Sequence, residues 1–393
     1  MKLTLTSILI FFFTLSFAQK SALEEASELV EAKKYESAYN VLNRADARNE
    51  NPDITIAKTD LLLNYFVTSI MHQLFAIKDL EPNEDILDVR GSAGDFTMFT
   101  FPADTILLKL IDKYPDNYEL KKELGFYYHE AHLKYQGNWL IPDSDVINKF
   151  KSLYLDAYEN GVFDYWSTYG IGYAYLMNQD FKASIPYFKK SVELKQEYPS
   201  SHYNLAYAYL YTDQREKAIE SAQNAMKLYE FAEYKADAAR MIAVIYQELE
   251  ENEKAIDFYK QADKIQANDY YTLKPLLEME LALNKTSYTE RTKQFFLIDP
   301  GNPTIYKDLM SIYWSNEKVD ELMEFLTTQH DEFATDDKVN GNLYFYSAVI
   351  QFDKEEYSKS KQNFEKAREI FVKVFEKDHG VFEAIDSYVK EMN

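Results

Sequence analysis

Two histidines three residues apart, in His129-Glu130-Ala131-His132, are where a chemical reading of this chain begins. Side chains at that spacing share one face of a helix, and two imidazoles there could grip a metal ion. The spacing is not that of the His-Glu-x-x-His zinc motif, whose histidines are four apart with the glutamate as base. Glu130 points about 100° away from His129 on a helix, so another segment would have to complete the site. With no cysteine and 6 histidines in all, the expectation is no metal and no cofactor, and a pair of partly exposed polar side chains between Tyr128 and Tyr135. Asp143-Ser144-Asp145 has the composition of a calcium cluster, but Asp143 or Ser144 capping a helix that begins at Asp145 accounts for the same residues. There is no Gly-x-Ser-x-Gly elbow and no thiol, and Gly91 to Gly94 lacks the Gly-Lys-Ser/Thr ending of a phosphate loop. The expectation is a chain that is not an enzyme.

One constellation is suited to binding. Tyr169 and Tyr173 are four apart, and Tyr203, Tyr207 and Tyr211 repeat that spacing 34 residues later. Each set lies on one helix face, roughly 200° from Leu205 and Tyr209. Tyr and Trp bury large areas at low entropic cost and keep a polar handle, so such a face either receives a ligand or packs one helix on the next. Both readings stand at this level.

The elements that must position these rings follow from a period. Ile171-Gly172-x-x-Tyr175, with Phe181, Ser184, Phe188 and Ser191 behind it, returns 34 residues later as Leu205-Ala206-x-x-Tyr209 with Arg215, Ala218, Ala222 and Ala225. Small residues sit where two helices of a hairpin approach closely, and large ones fill the space beside them. Asn178-Gln179-Asp180 and Thr212-Asp213-Gln214 supply the turns between the helices, and Pro186 should bend or delay its helix. Irregular copies begin at Leu124-Gly125 and Ile242-Ala243, with further matches at Tyr35 to Ala45 and Tyr357 to Ala367. This pattern resembles the tetratricopeptide repeat. The resemblance implies an all-α, right-handed α-solenoid of about seven or eight stacked helix-turn-helix hairpins, interrupted by an irregular N-terminal insertion. It also implies that the first helix of each hairpin lines an inner groove, which places Trp166, Tyr169, Tyr173, Tyr203, Asn204, Tyr207, Tyr211 and Arg240 there as a protein-binding set. The family's peptide-carboxylate clamp uses Lys, Arg and Asn at such places, and the tyrosines here argue against a clamp of that kind.

The expected organisation is a signal peptide at 1–18, a hairpin at 19–50, a long helix plus irregular loop at 51–118, a central array at 119–300, and degenerate hairpins with a capping helix at 301–393. Within residues 51–118, Ile54 to Leu80 reads as one helix and Phe96 to Phe101 as a short extended segment, and residues 84–102 form either a functional insertion or, as the plainer role, a lid over one end of the array. Few glycines and prolines, 10 of each in 393 residues, agree with helix throughout. Lys2 followed by an uncharged run to Ser16-Phe17-Ala18 has the form of a secretory signal, cleaved after Ala18, and with no cysteine the product would not be a lipoprotein. The mature form is expected to lack a transmembrane anchor and to be periplasmic or secreted. A net charge of −22 excludes nucleic acid as a natural partner. The resulting expectation is an exported, non-catalytic scaffold binding an envelope protein or peptide segment, with a glycan-binding helical repeat using the aromatic groove as the alternative.

Overall fold

Among the described residues, seven helix ends close in the same way on a non-glycine residue in the left-handed helical region: Lys33, Gln179, Asp213, Glu250, Asn284, Glu317 and Glu355, with φ between 51° and 60°. At each, the amide of the next residue reaches back to a carbonyl five positions earlier, as from Asp180 to Tyr175 (2.9 Å), Gln214 to Tyr209 (2.9 Å), Glu251 to Tyr246 (2.9 Å) and Lys318 to Tyr313 (2.9 Å). This Schellman closure satisfies carbonyls that a helix end leaves open. The same tyrosine of the repeat supplies the carbonyl at those four turns. Six of the first helices are started by side-chain caps instead: Asn51, Asn117, Asp164, Asp269, Asn302 and Asp336 each accept from an amide two or three residues on, whereas the helices beginning at Pro199 and Ala232 follow Tyr198 and Phe231 without one.

The computed structural model describes residues 21–92, 94 and 96–392, so the signal-peptide expectation lies outside the described residues. The chain divides into two compact units, Met1–Ala218 and Ile219–Asn393. The first unit contains α1 (residues 21–31), α2 (Tyr35–Ala45), α3 (Pro52–Tyr65), β1 (Thr68–Ile70), β2 (Leu74–Ala76), α4 (Ile86–Val89), β3 (Met98–Thr100), α5 (Ala103–Lys113), α6 (Tyr118–Tyr135), α7 (Asp143–Glu159), α8 (Tyr165–Met177), α9 (Phe181–Leu194) and α10 (Pro199–Leu210). The division falls within α11 (Arg215–Leu228). The second unit continues with α12 (Ala232–Glu248), α13 (Asn252–Ile265), α14 (Tyr270–Ala282), α15 (Tyr288–Leu297), α16 (Pro303–Ser315), α17 (Val319–Glu332), α18 (Asp337–Asp353), α19 (Tyr357–Phe371) and the closing α20 (Gly380–Glu391).

Within each hairpin the close approach is made by a small residue under a ring. A Cβ added to Gly125 on α6 would meet the Tyr154 ring of α7 at 2.7 Å, and one on Gly172 of α8 would meet Phe188 of α9 at 2.8 Å. Ser184, Ala206, Ala218, Ala243 and Ala255 are fully buried at related positions. Helix α9 starts at Phe181 and runs through Pro186, so the proline does not delay it.

The N-terminal region departs from the sequence reading. The expected single helix Ile54 to Leu80 stops at Tyr65, because Phe66 turns extended (φ −73°, ψ 147°) and the β-branched run that follows forms strand. Met71 and His72, both at positive φ, turn β1 into β2, and β3 completes an antiparallel sheet of order β1-β2-β3 with Phe75 opposite Phe99. The expected extended segment at Phe96 to Phe101 is therefore the third strand of a sheet. The block 51–118 is itself a hairpin, α3 with α5, whose connection has grown to hold the sheet and α4. Phe75, Ile77 and Phe101 are buried in one cluster with Leu62 and Leu107, and Leu80 is buried as well. Lys58 of α3 is fully buried and donates to Asn43 Oδ1 (3.1 Å), the Asp46 carbonyl (2.5 Å) and Asn49 Oδ1 (2.8 Å), which ties down the α2–α3 connection.

Candidate functional site

The histidine pair is not the partly exposed pair the sequence suggested. His129 and His132 are both buried, because α6 is covered by α7 on one side and α8 on the other. His129 lies between the Phe150 ring (4.6 Å between centroids) and the Trp166 ring (4.9 Å), with neither ring nitrogen hydrogen-bonded, and burial pushes its pKa down to about 3. His132 has both nitrogens engaged, Nδ1 with Asp143 Oδ1 at 2.7 Å and Nε2 with the Tyr173 hydroxyl at 3.0 Å. A metal would have to displace one of those partners. Among the described residues, no three His, Asp or Glu side chains converge as a metal site. The expected cap also differs: α7 begins at Asp143 after Pro142, and the Asp143 side chain serves His132 in place of the helix amides. The Asp143–His132–Tyr173 row has the order of a proton relay, but burial, then Asp143, raises the Tyr173 pKa. Its hydroxyl stays protonated, and the row acts as a latch joining α6, α7 and α8.

The remaining groove residues take three different places. Tyr169 is buried, its hydroxyl accepts from Asn204 Nδ2 at 3.0 Å, and its ring stacks between Trp166 (5.5 Å) and Tyr173 (6.1 Å). These residues join α8 to α10. Tyr203 is half-buried, whereas Tyr207 and Tyr211 pack on each other (4.7 Å), and Tyr211 stacks on Phe181 (4.6 Å) while remaining 56% exposed. The hydrogen bond with Tyr211 pushes the Tyr207 pKa up to about 12. Arg240 belongs to the second unit, where it donates to Asp269 and Thr272 (both 3.0 Å) and to Asp237. Its guanidinium is spent on fastening α12 to α14.

A site that the sequence reading did not name lies in the second unit. A groove of about 860 Å3 runs across the first helices α16 and α18 to α20. Met310 and Trp314 of α16, Phe345 and Val349 of α18, and Ala384 and Tyr388 of α20 line it. Trp314 is 41% exposed, and Phe375 with the His379 ring stacked on it at 4.0 Å also lines the groove. Asp353 of α18 and Lys307 of α16 also line it, and partial desolvation raises the Asp353 pKa. The signal was present in the sequence, since Met310/Trp314, Phe345/Val349 and Ala384/Tyr388 are all spaced by four. The strict 34-residue period drew the groove expectation to residues 166–240, away from residues 301–393.

Comparison with known proteins agrees with this architecture. No curated protein sequence matches the chain. Among solved structures it is similar to a tetratricopeptide repeat protein from Parabacteroides merdae ATCC 43184, at 13% identity over 69% of this chain and 98% of that one, with a TM-score of 0.41. It is also similar to MamA from Desulfovibrio magneticus RS-1, at 16% identity over 45% of this chain and 93% of that one, with a TM-score of 0.37. The family model for the tetratricopeptide repeat matches residues 168–198, 199–231 and 236–269. Those segments coincide with α8/α9, α10/α11 and α12/α13, the hairpins whose turns and small-residue crossings are most regular, and residues 168–269 are tetratricopeptide repeats.

Proposed function

We propose that this chain is a non-catalytic scaffold, exported to the bacterial envelope, that holds an apolar segment of a partner protein against the rings of α16, α18 and α20. The observation that carries the reading is the groove itself: an apolar concavity on consecutive first helices, with an exposed tryptophan inside it. Exposed aromatic surface of this kind is costly to leave in water and suits an anchor residue of a partner. Charge selects the occupant further. A chain of net charge −22, in which Asp353 faces the same groove as Lys307, favours a segment whose apolar residues are flanked by Lys or Arg. Export rests on the hydrophobic N-terminal run and its Ser16-Phe17-Ala18 end.

The test compares wild type with Trp314→Ala/Ala384→Glu, which removes the ring and places a charge in the groove. A protein retained by wild type and lost from the variant is the expected result. An identical set on both, with the variant folded, overturns the groove, and retention of carbohydrate instead of protein assigns the site to a glycan. For export, the N-terminus of the protein from fractionated source cells should be Gln19. A cytoplasmic chain that still begins at Met1 contradicts it.

A further inference from the structure

Between α3, α6 and the start of α8, wholly inside the first unit, lies a second cavity of about 400 Å3. Four carboxylates and one ammonium line it: Asp60 from α3, Lys122, Glu123 and Glu130 from α6, and Asp164 before α8. The cation is already taken, since Lys122 Nζ sits 3.0 Å from Glu119 and 3.3 Å from Asp164. Asp164 is further occupied in capping α8 through the Ser167 amide (2.7 Å). Glu130 has Lys134 at 4.0 Å. Asp60 and Glu123 have no cation at ion-pair distance, and the nearest support for Asp60 is the Asn64 amide at 3.0 Å.

Three of the lining residues carry a buried polar atom without a hydrogen-bond partner, and they come from three helices. Glu123, 4% exposed, has an unpartnered Oε1; the hydroxyl of fully buried Tyr154 on α7 and the Trp166 Nε1 of α8 are likewise unpartnered. Each such group costs about 1–3 kcal/mol, and a native protein rarely gathers three at one place with nothing to meet them. What they would accept is specific. A carboxylate oxygen calls for a donor that carries positive charge, and Phe126, which lines the same cavity, suits an apolar stem behind that donor. An indole N–H calls for an acceptor a short distance away.

We propose that this cavity is a binding site for an organic cation, a guanidinium or ammonium head on an apolar stem with a carbonyl acceptor nearby, which is the chemistry of an arginine or lysine residue, free or within a peptide. The head would lie between Asp60 and Glu123, the stem along Phe126, and the acceptor at Trp166. The proposal stands apart from the groove of the second unit and does not depend on it. Proton linkage supports it. Burial first, then the charges of Asp60, Asp164 and Glu119, with Lys122 opposing, hold the Glu123 carboxyl well above the usual range, and burial raises Asp60 and Glu130 as well. An arriving cation favours the charged carboxylates, so binding releases protons and tightens as pH rises.

Titration calorimetry on the full mature chain tests this with N-acetylarginine amide and its neutral isostere N-acetylcitrulline amide. The arginine compound should bind 1:1 and quench Trp166 fluorescence, the citrulline compound at least tenfold more weakly, and the arginine affinity should rise between about pH 5 and 8. Glu123→Gln keeps the shape and should weaken the arginine compound at least about tenfold. Asp60→Asn, at a less central position, should weaken it too and serves if Glu123→Gln fails to fold. A short arginine-containing peptide binding far more tightly than the free compound assigns the cation to a protein partner, and equal affinities assign it to a free metabolite. Equal binding of the two isosteres, no binding of the arginine compound up to about 10 mM, or an affinity unchanged in both folded variants overturns the proposal.

Discussion

A glutamate, an aspartate or a lysine in the left-handed region costs about 1 kcal/mol relative to glycine, and this chain accepts that cost at turn after turn. Glu250 is exposed with φ 59°, so Glu250→Gly should stabilise the protein by about 0.5–1 kcal/mol in urea unfolding, and Glu250→Val should destabilise it. The opposite holds at a crossing. Gly172→Ala drives a methyl to 2.8 Å from the Phe188 ring and should cost about 1–3 kcal/mol by the same measurement. His129 supplies a pH test. Its folded pKa of about 3 lies below the unfolded value, so its contribution is fully present above about pH 6.5 and is lost as pH falls toward 3. His129→Phe should therefore gain about 2 kcal/mol over wild type at pH 5, beyond any difference at pH 8, read from paired unfolding curves. An equal difference at both pH values would mean that the imidazole is protonated in place. The burial of this histidine was not legible in the sequence, because Phe150 and Trp166, which enclose it, arrive from two other helices.

At the scale of elements, the 34-residue spacing of Gly172 and Ala206, Ser184 and Ala218 was enough to place the hairpins, since small residues at helix crossings are a local requirement of close approach. The region 51–118 was misread for a complementary reason. An uncharged run from Leu61 to Ile77 has neither helical nor alternating period, and only the two positive-φ residues Met71 and His72 break it, neither of them a glycine. The sheet it forms is part of the core. Phe75 is fully buried in the cluster with Leu62, Phe101 and Leu107, so Phe75→Ala should cost about 3–5 kcal/mol and loosen α3 and α5 before the later hairpins, as read by hydrogen exchange. The candidate sites divided in the same way. The tyrosines of α8 and α10 were visible from their spacing, but which were spent on packing was not: the Tyr169 hydroxyl is held by Asn204, 35 residues away, whereas Tyr211 keeps a free face. The acidic cavity had no sequence signal, because in a chain with 65 acidic residues a carboxylate at any spacing carries no information.

For the whole molecule, a stack of hairpins implies that stability is a sum of local terms and that damage stays near its origin. Gly341 on α18 faces Phe371 of α19, where an added Cβ would come to 2.5 Å, so Gly341→Ala should quicken hydrogen exchange in α17 to α20 and leave α1 to α7 unchanged. Uniform loss of protection along the chain would mark a single cooperative bundle. The central claim is that the chain works by holding a partner protein against the first-helix rings. Photo-crosslinking in source cells tests it most directly, with a benzoylphenylalanine at Trp314 in the groove and, separately, at Val372, which is 59% exposed and does not line it. A discrete, protease-sensitive adduct from position 314 and none from position 372 is the expected result. The same adducts from both positions, or none from position 314 in folded protein, would contradict it.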